Sequence, residues 1–447
     1  MITTARWFYL ALTIIILTFL PLQTYAAPDF GPVNMGDFYT SLPDVDTNAR
    51  LGSLIKVEKI PTSMSGVQAW KMAYISSDVA GRKTLVTGIV AAPISAPAET
   101  GRPIMAWAHG TTGTAQTCGP SQILNPAQPL NQYFMTSGNS WTDFGLPAME
   151  PFIKAGYVIV ATDYQGLGGG GKHQYTVAAT QARDVINSIR AATLLKEANA
   201  GKKAIVYGWS QGGGAVIAAA GLHDYLNEQG TASDGIELLG FVAMAPYDVA
   251  VTFPSTLLNT EDATKFLKKL ADQFSGNIFN FTHYAQNIWG MVAAFPQLKL
   301  DDIFTSEGAK IVNEILERKC MHVASDTFNF EYSTKYKSLL RLDIKNASAW
   351  MDANKKSSVI PVKPMAPVII YWGNKDATVP PVMGQLYYEQ MCKLGGNVTR
   401  VQLPGQQTHF STPASAQSFY VQWVADRFAG KPVSNGCKVR NNVYSTK

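Results

Sequence analysis

The chain has 447 residues, 46% of them hydrophobic and 15% charged, with a formal net charge of +5 and a pI near 8.8. This balance can fill a sizeable core and excludes disorder as the dominant state. No run of five or six basic residues occurs, so the clustered charge that a nucleic-acid partner requires is missing.

Residues 1–26 differ from the rest. Arg6 is their only charge, an apolar run extends from Trp7 to Leu20, and the segment ends Thr24-Tyr25-Ala26. Small residues at the last and third-last positions suit signal peptidase, so cleavage before Ala27 is expected. The alternative is an uncleaved anchor, but the run is short for a membrane-spanning helix, and no cysteine lies at the cleavage site to take a lipid. The expected product is an exported protein, extracellular or periplasmic, without an integral membrane anchor. Loss of Arg6 takes its net charge from +5 to +4.

Strand patterns come next, at Leu54–Ile60, Val67–Ser76 and Thr84–Ala92, where β-branched and aromatic residues lie between turn signals. Short apolar runs follow at Ile104–Ala108, Tyr157–Ala161, Ala204–Tyr207, Leu238–Ala245, Pro367–Trp372 and Val398–Leu403. Helical patterns separate them at Thr176–Glu197 and Gly212–Tyr225, and Ala414–Phe428 closes the series. Buried strands alternating with helices predict an α/β fold, a mostly parallel sheet with helices on both faces. From 249 to 359 the alternation stops. Helical periodicity appears instead over Thr260–Phe274, Phe281–Phe295 and Ser306–Lys319. The expected organisation is therefore an α/β core over 27–248 and 360–447, with a helical cap inserted over 249–359.

Gly208-Trp209-Ser210-Gln211-Gly212 matches G-x-S-x-G directly after an apolar run and before a helix of small residues. In that setting the serine occupies a tight, strained strand-to-helix turn, and the helix N-terminus points at the reacting centre. A serine nucleophile needs a base, and the base an orienting acid; in this fold they follow in the order serine, acid, histidine. Asp376 lies just beyond the apolar run ending at Trp372. His409 is the one histidine C-terminal to it and follows the last strand. Each alone reads equally well as a turn or loop residue; the pair in the required order makes Ser210, Asp376 and His409 the candidate triad. Oxyanion stabilisation needs two backbone donors. Gln211, next to the nucleophile, is one, and Thr111, in the loop His109-Gly110-Thr111-Thr112-Gly113, is the other. His109 precedes the nucleophile and is assigned a structural hydrogen-bonding role rather than that of a base or metal ligand.

Gly166-Leu167-Gly168-Gly169-Gly170-Gly171 matches the letters of the dinucleotide fingerprint G-x-G-x-x-G. However, its last glycine opens no helix, and Asp184, at the spacing of the ribose-binding acid, falls inside a helical pattern. His173 stands where a phosphate loop requires serine or threonine. The segment reads as a flexible glycine loop near the rim of the site, and no cofactor is expected. Cys118, Cys320, Cys392 and Cys437 lack the close pairing of zinc ligands, so no metal site is expected. In an exported protein they read as two disulfides, with three pairings open.

His109-Gly110-Thr111, Asp163-Tyr164-x-Gly166-x-Gly168, the pentapeptide around Ser210, the Gly373-to-Asp376 segment and His409 together resemble the secretory lipase family over roughly residues 30–437. The resemblance implies an α/β-hydrolase fold, a Ser210–Asp376–His409 triad, and oxyanion donors at Thr111 and Gln211. It further implies cofactor-free hydrolysis of acylglycerols and other carboxylic esters, with a helical lid that houses an acyl tunnel. It favours the pairings Cys118–Cys320 and Cys392–Cys437. An ester or lipid substrate, met at a lipid–water interface, is the implied partner. The short C-terminal tail and the run of glycines at 168–171 depart from the family pattern and leave the acyl preference open. The rival readings are a short-chain deacetylase, a peptidase on the same fold, and a catalytically inactive binding protein. Phe281–Phe295 carries more apolar surface than one core-facing stripe needs. That excess either packs within the cap or, through Trp289 and Met291, lines an acyl groove above Ser210.

Overall fold

The computed structural model describes residues 35–438 apart from 97–98, 124, 131–144, 229–233, 250, 252–259 and 360. The expected leader, 1–26, lies outside the described residues. Nine strands form one sheet: β1 (Leu54–Ile60), β2 (Val67–Ser77), β3 (Lys83–Pro93), β4 (Arg102–Ala108), β5 (Val158–Thr162), β6 (Ala200–Trp209), β7 (Glu237–Met244), β8 (Val368–Trp372) and β9 (Val398–Gln402). Their spatial order is β1-β2-β3-β5-β4-β6-β7-β8-β9. The pairings from β5 through β9 are parallel, whereas β1, β2, β3 and β5 pair antiparallel to one another.

The pleat divides the side chains of each strand between two cores. On β4, Ile104 and Ala106 join the cluster under α1 (Ala178–Leu194) and α2 (Gln211–Ala219). Met105 and Trp107 join the opposite cluster with Phe152, Tyr420 and Val424. All five residues of β5 are buried, as expected of a strand covered on both faces. The single helix expected over Gly212–Tyr225 is two. The first ends at Ala219, Gly221 and Leu222 close a turn on the carbonyls of Ala218 and Ala219 at 3.0 and 3.2 Å, and a short helix restarts at His223.

Between β7 and β8 the described residues contain no strand of the sheet. They form α3 (Thr260–Phe274), α4 (Ile278–Ala294), α5 (Ser306–Leu316), α6 (Met321–Tyr332) and α7 (Ala347–Ser357). The last two were not legible in the sequence, because small or polar residues such as Ala324, Ser325, Ala347, Asn354 and Ser357 occupy much of their buried faces and leave no continuous apolar stripe; Phe328 and Trp350 are buried with them. Side-chain caps start two of the others: Asn277 accepts from Asn280 N at 2.8 Å and Thr305 from Gly308 N at 3.0 Å. These helices own a separate core, in which Leu267, Phe274, Phe281, Ile288, Leu316, Phe328 and Trp350 meet. Val379 and Met383 enter the same cluster from the segment that follows β8, which couples the helical layer to the loop carrying Asp376. Then come α8 (Val382–Lys393) and α9 (Thr412–Phe428).

Candidate active site

Ser210 lies at the junction of β6 and α2 with φ 59° and ψ −118°. Such a conformation costs a non-glycine residue about 1–3 kcal/mol. Three backbone bonds hold it: Ser210 N donates to Met244 O at 2.9 Å, and Ser210 O accepts from Gly214 N and Tyr247 N at 3.0 and 3.1 Å. The flanking glycines are steric requirements. A Cβ on Gly212 would lie 1.9 Å from Ala108 O, so only glycine lets α2 begin this close to the end of β4.

The three residues read as a triad meet. His409 Nδ1 lies 2.7 Å from Asp376 Oδ2; a carboxylate only accepts, so the proton sits on Nδ1. That leaves Nε2 to accept from Ser210 Oγ–H at 2.9 Å. The other carboxylate oxygen, Oδ1, accepts from the backbone N–H groups of Thr378 (3.0 Å) and Val379 (2.8 Å), which fixes the carboxylate plane. All three side chains are buried. The acid and base loops are laced together: Lys375 N donates to Gln407 O at 2.9 Å, and Gly373 leaves no room for a Cβ beside that carbonyl.

Trp209 was not singled out in the sequence. Its Nε1–H donates to His409 O at 3.0 Å, and its ring lies 4.7 Å from the imidazole. The opposite side of the ring system is met by Gly110, where a Cβ would approach within 2.4 Å. A strand-end tryptophan thus links the loop of Thr111, the nucleophile turn and the histidine loop, which no local pattern announces.

The Thr111 loop is also held from above. Thr111 Oγ1 and Tyr175 Oη are 2.6 Å apart; Met321 N donates to Thr112 O at 2.9 Å and Thr114 Oγ1 to Leu316 O at 2.6 Å. Cys118 and Cys320 are disulfide-bonded beside these contacts, and Cys392 is bonded to Cys437 near the C-terminus. Behind Gln211 stands His173. Its Nδ1–H donates to Gln165 O at 2.6 Å, so its Nε2 faces Gln211 Nε2–H at 3.2 Å as an acceptor. Burial lowers the His173 pKa to about 3 and that of His109 to about 4, so both are neutral supports. The ring nitrogens of His109 face Gly110 O (2.6 Å) and Asp163 O (3.1 Å), a structural position.

The glycine loop is tied down rather than flexible. Gly168 N and Gly170 N both donate to Gln116 Oε1 at 3.0 Å, and a Cβ on Gly169 would lie 2.0 Å from Leu85 O. The glycines allow close packing on β3. The helix after them opens only at Ala178, and Asp184 within it accepts from Ser76 Oγ at 2.6 Å and Gln165 N at 2.9 Å.

A cavity of about 20 Å³ lies over Ser210, between Tyr175, Gln211 and Tyr247 of the core and Phe274, Asn280, His283 and Tyr284 of the helical layer. Trp289 and Met291 do not line it, which favours the first of the two sequence readings, packing within the cap, over an acyl groove at these residues. Met291 is fully buried, and Trp289 lines a different crevice and donates its Nε1–H to Asn313. On α4 the helical period carries Trp289 to the side opposite Asn280, His283 and Tyr284, whereas Met291 shares their side but lies about two turns, roughly 10 Å, farther along the axis.

A nucleophile turn at the end of a central parallel strand, with acid and histidine after later strands, defines the chain as an α/β-hydrolase. The solved structures agree on this fold. Candida antarctica lipase A has a TM-score of 0.66 at 14% identity, covering 88% of this chain and 85% of that one. The rice cell wall degrading esterase LipA of Xanthomonas oryzae has a TM-score of 0.60 at 16% identity, covering 85% and 96%. The secretory lipase family model matches residues 138–436, and the chain belongs to that family. Curated relatives include Lipase 1 of Candida albicans, 23% identical over 91% of this chain and 83% of that protein. The secreted triacylglycerol lipase LIP2 of Malassezia globosa is 22% identical over 96% of this chain and 90% of that protein. The chain is thus a secreted lipase or esterase.

Proposed function

We propose that the chain hydrolyses acylglycerols and related carboxylic esters through an acyl-enzyme on Ser210. Ser210 Oγ attacks the ester carbonyl carbon while its proton passes to His409 Nε2, and Asp376 steadies the imidazolium through Nδ1–H. The tetrahedral oxyanion is held by the backbone N–H groups of Thr111 and Gln211. Collapse expels the alcohol, which takes the proton from His409. Water then repeats the sequence in reverse and releases the acid. Residues 249–359 act as the cap over this site, and the working environment is a lipid–water interface. The observation that carries the reading is the unbroken chain Ser210 Oγ–His409–Asp376, at 2.9 and 2.7 Å, on a serine held in the strained turn.

An organophosphonate probe should label Ser210 alone, and Ser210→Ala should lower kcat by about 10⁴–10⁶-fold, because nucleophile and base act as a unit. Labelling at another serine would overturn the assignment. Among p-nitrophenyl esters, kcat/KM should rise from acetate to octanoate, since each methylene buried adds about 0.8 kcal/mol of binding. An aminoacyl p-nitroanilide should not be cleaved. Preference for acetate would favour the deacetylase reading. A rate that climbs above the solubility limit of the ester would mark the interface as the partner.

A further inference from the structure

The cavity over Ser210 has polar groups that acyl transfer does not use. They sit on one turn of α4, where Asn280, His283 and Tyr284 line the space. His283 Nδ1 lies 2.9 Å from the carbonyl of Phe279, which only accepts, so Nδ1 carries the proton. Burial lowers the His283 pKa to about 4, so the ring is neutral and Nε2 is a bare acceptor. Tyr284 Oη is its complement. It is buried without a hydrogen-bond partner, and burial raises its pKa, so it remains a donor. A buried, unpaired hydroxyl on a residue that lines a cavity beside a nucleophile calls for a partner atom.

The position of His283 indicates which part of the substrate supplies that atom. His409 returns its proton to the departing alcohol, so the alcohol lies against His409 Nε2. His283 lines the cavity and is linked to His409: the two imidazoles are close enough to interact electrostatically, and a relay of rings joins them, His283 to Phe279 at 4.5 Å, Phe279 to Phe410 at 5.9 Å and Phe410 to His409 at 5.3 Å. A hydroxyl both donates and accepts, which matches one bare acceptor and one unpaired donor.

We propose that His283 Nε2 and Tyr284 Oη form a hydroxyl-binding subsite on the leaving-group side, which selects esters of polyols that keep a free hydroxyl beside the esterified carbon, as in mono- and diacylglycerols. The inference rests on the assignment of Ser210 as the nucleophile. The substrate hydroxyl donates to His283 and accepts from Tyr284, and an alkyl alcohol leaves both groups unpaired. Sites built to bind a hydroxyl discriminate strongly against analogues that lack it.

The test is the ratio of kcat/KM for 1-monobutyrin to that for propyl butyrate, which share the acyl group and the carbon count of the alcohol. The wild type should favour monobutyrin by about tenfold or more, and Tyr284→Phe and His283→Leu should each lower the ratio by about tenfold, on the scale of one hydrogen bond. Phosphonate labelling of Ser210 in every variant checks that it is folded. A wild-type ratio near one overturns the subsite, and this result needs no variant. A ratio unmoved in both labelled variants, including equal losses on the two esters, overturns the roles of His283 and Tyr284. If Ser210 labels normally while the ratio fails, the subsite falls and the ester-hydrolase reading stands; failure of wild-type labelling removes both.

Discussion

Gly110, Trp209 and His409 act as a stack at the residue scale. The indole lies against the glycine on one side, and its Nε1–H holds the backbone carbonyl of His409. Gly110→Ala places a methyl about where Trp209 Cε3 and Cζ3 now lie, within 2.4 and 2.6 Å. Overpacking of this kind costs about 1–3 kcal/mol, and the ring can yield only by pulling on His409 O. A displacement near 1 Å in such a site costs about 10²-fold in rate. We therefore expect Gly110→Ala to lower kcat by roughly 10–100-fold with a smaller change in KM, measured on p-nitrophenyl butyrate. Trp209→Phe, which keeps a ring and loses the donor, should fall between this variant and the wild type. A fully active Gly110→Ala protein would show that the stack does not position the base.

The two disulfides separate stability from catalysis at the scale of elements. Cys118–Cys320 closes 202 residues and Cys392–Cys437 closes 45, for which the chain-entropy model gives about 5 and about 4 kcal/mol before strain. The costs are similar, but the locations are not. Cys118–Cys320 joins the loop after β4 to the start of α6, beside the bonds from Met321 N to Thr112 O and from Thr114 Oγ1 to Leu316 O. Cys392–Cys437 pins the tail to the end of α8, away from Ser210, with Gly436 N donating to Asn397 Oδ1 at 3.2 Å. Replacing Cys118 and Cys320 by serine should lower both the urea midpoint and kcat, because the Thr111 backbone loses its anchor. Replacing Cys392 and Cys437 should lower the midpoint by a similar amount with kcat at the wild-type level. Equal effects of the two double variants on kcat would contradict this division.

Buried titratable groups set the pH response of the whole molecule. Burial lowers the pKa of His109 and His283 to about 4 and of His173 and His322 to about 3, from 6.5. The unfolded chain binds these protons between about pH 3 and 6.5 and the folded chain does not. Their contribution is therefore complete above 6.5 and is lost as pH falls. Asp163 and Asp184 oppose this. Burial raises them from 3.8 to about 6 and about 7, so the folded state keeps protons that the unfolded state has released, and stability falls as pH rises through that window. Four histidines outweigh two carboxyls. The urea midpoint should rise from pH 4.5 to pH 6.5 and level off just above it as Asp184 ionises. A midpoint higher at pH 4.5 would mean that the carboxyls dominate.

By itself the sequence determined the α/β alternation, the candidate triad and the helical insertion. Each rests on local information: buried strands read as short apolar runs, G-x-S-x-G is a steric necessity of one tight turn, and Asp376 and His409 follow strands in a set order. What the tertiary structure alone decided depends on neighbours remote in sequence. The antiparallel pairing of β1 to β3 and the central place of β4 arise from strand partners that no window of residues contains. The roles of Trp209, Tyr175 and His173 depend on contacts 38 to 200 residues away. Apolar content marked α4 as important, but only the packing of α4 within its own core fixed which face met Ser210. Asn280, His283 and Tyr284 meet the cavity, while Trp289 lies on the opposite side of the helix and Met291 about two turns farther along it. Hydrophobicity records that a side chain leaves water, and the geometry of the assembled core decides what it then touches.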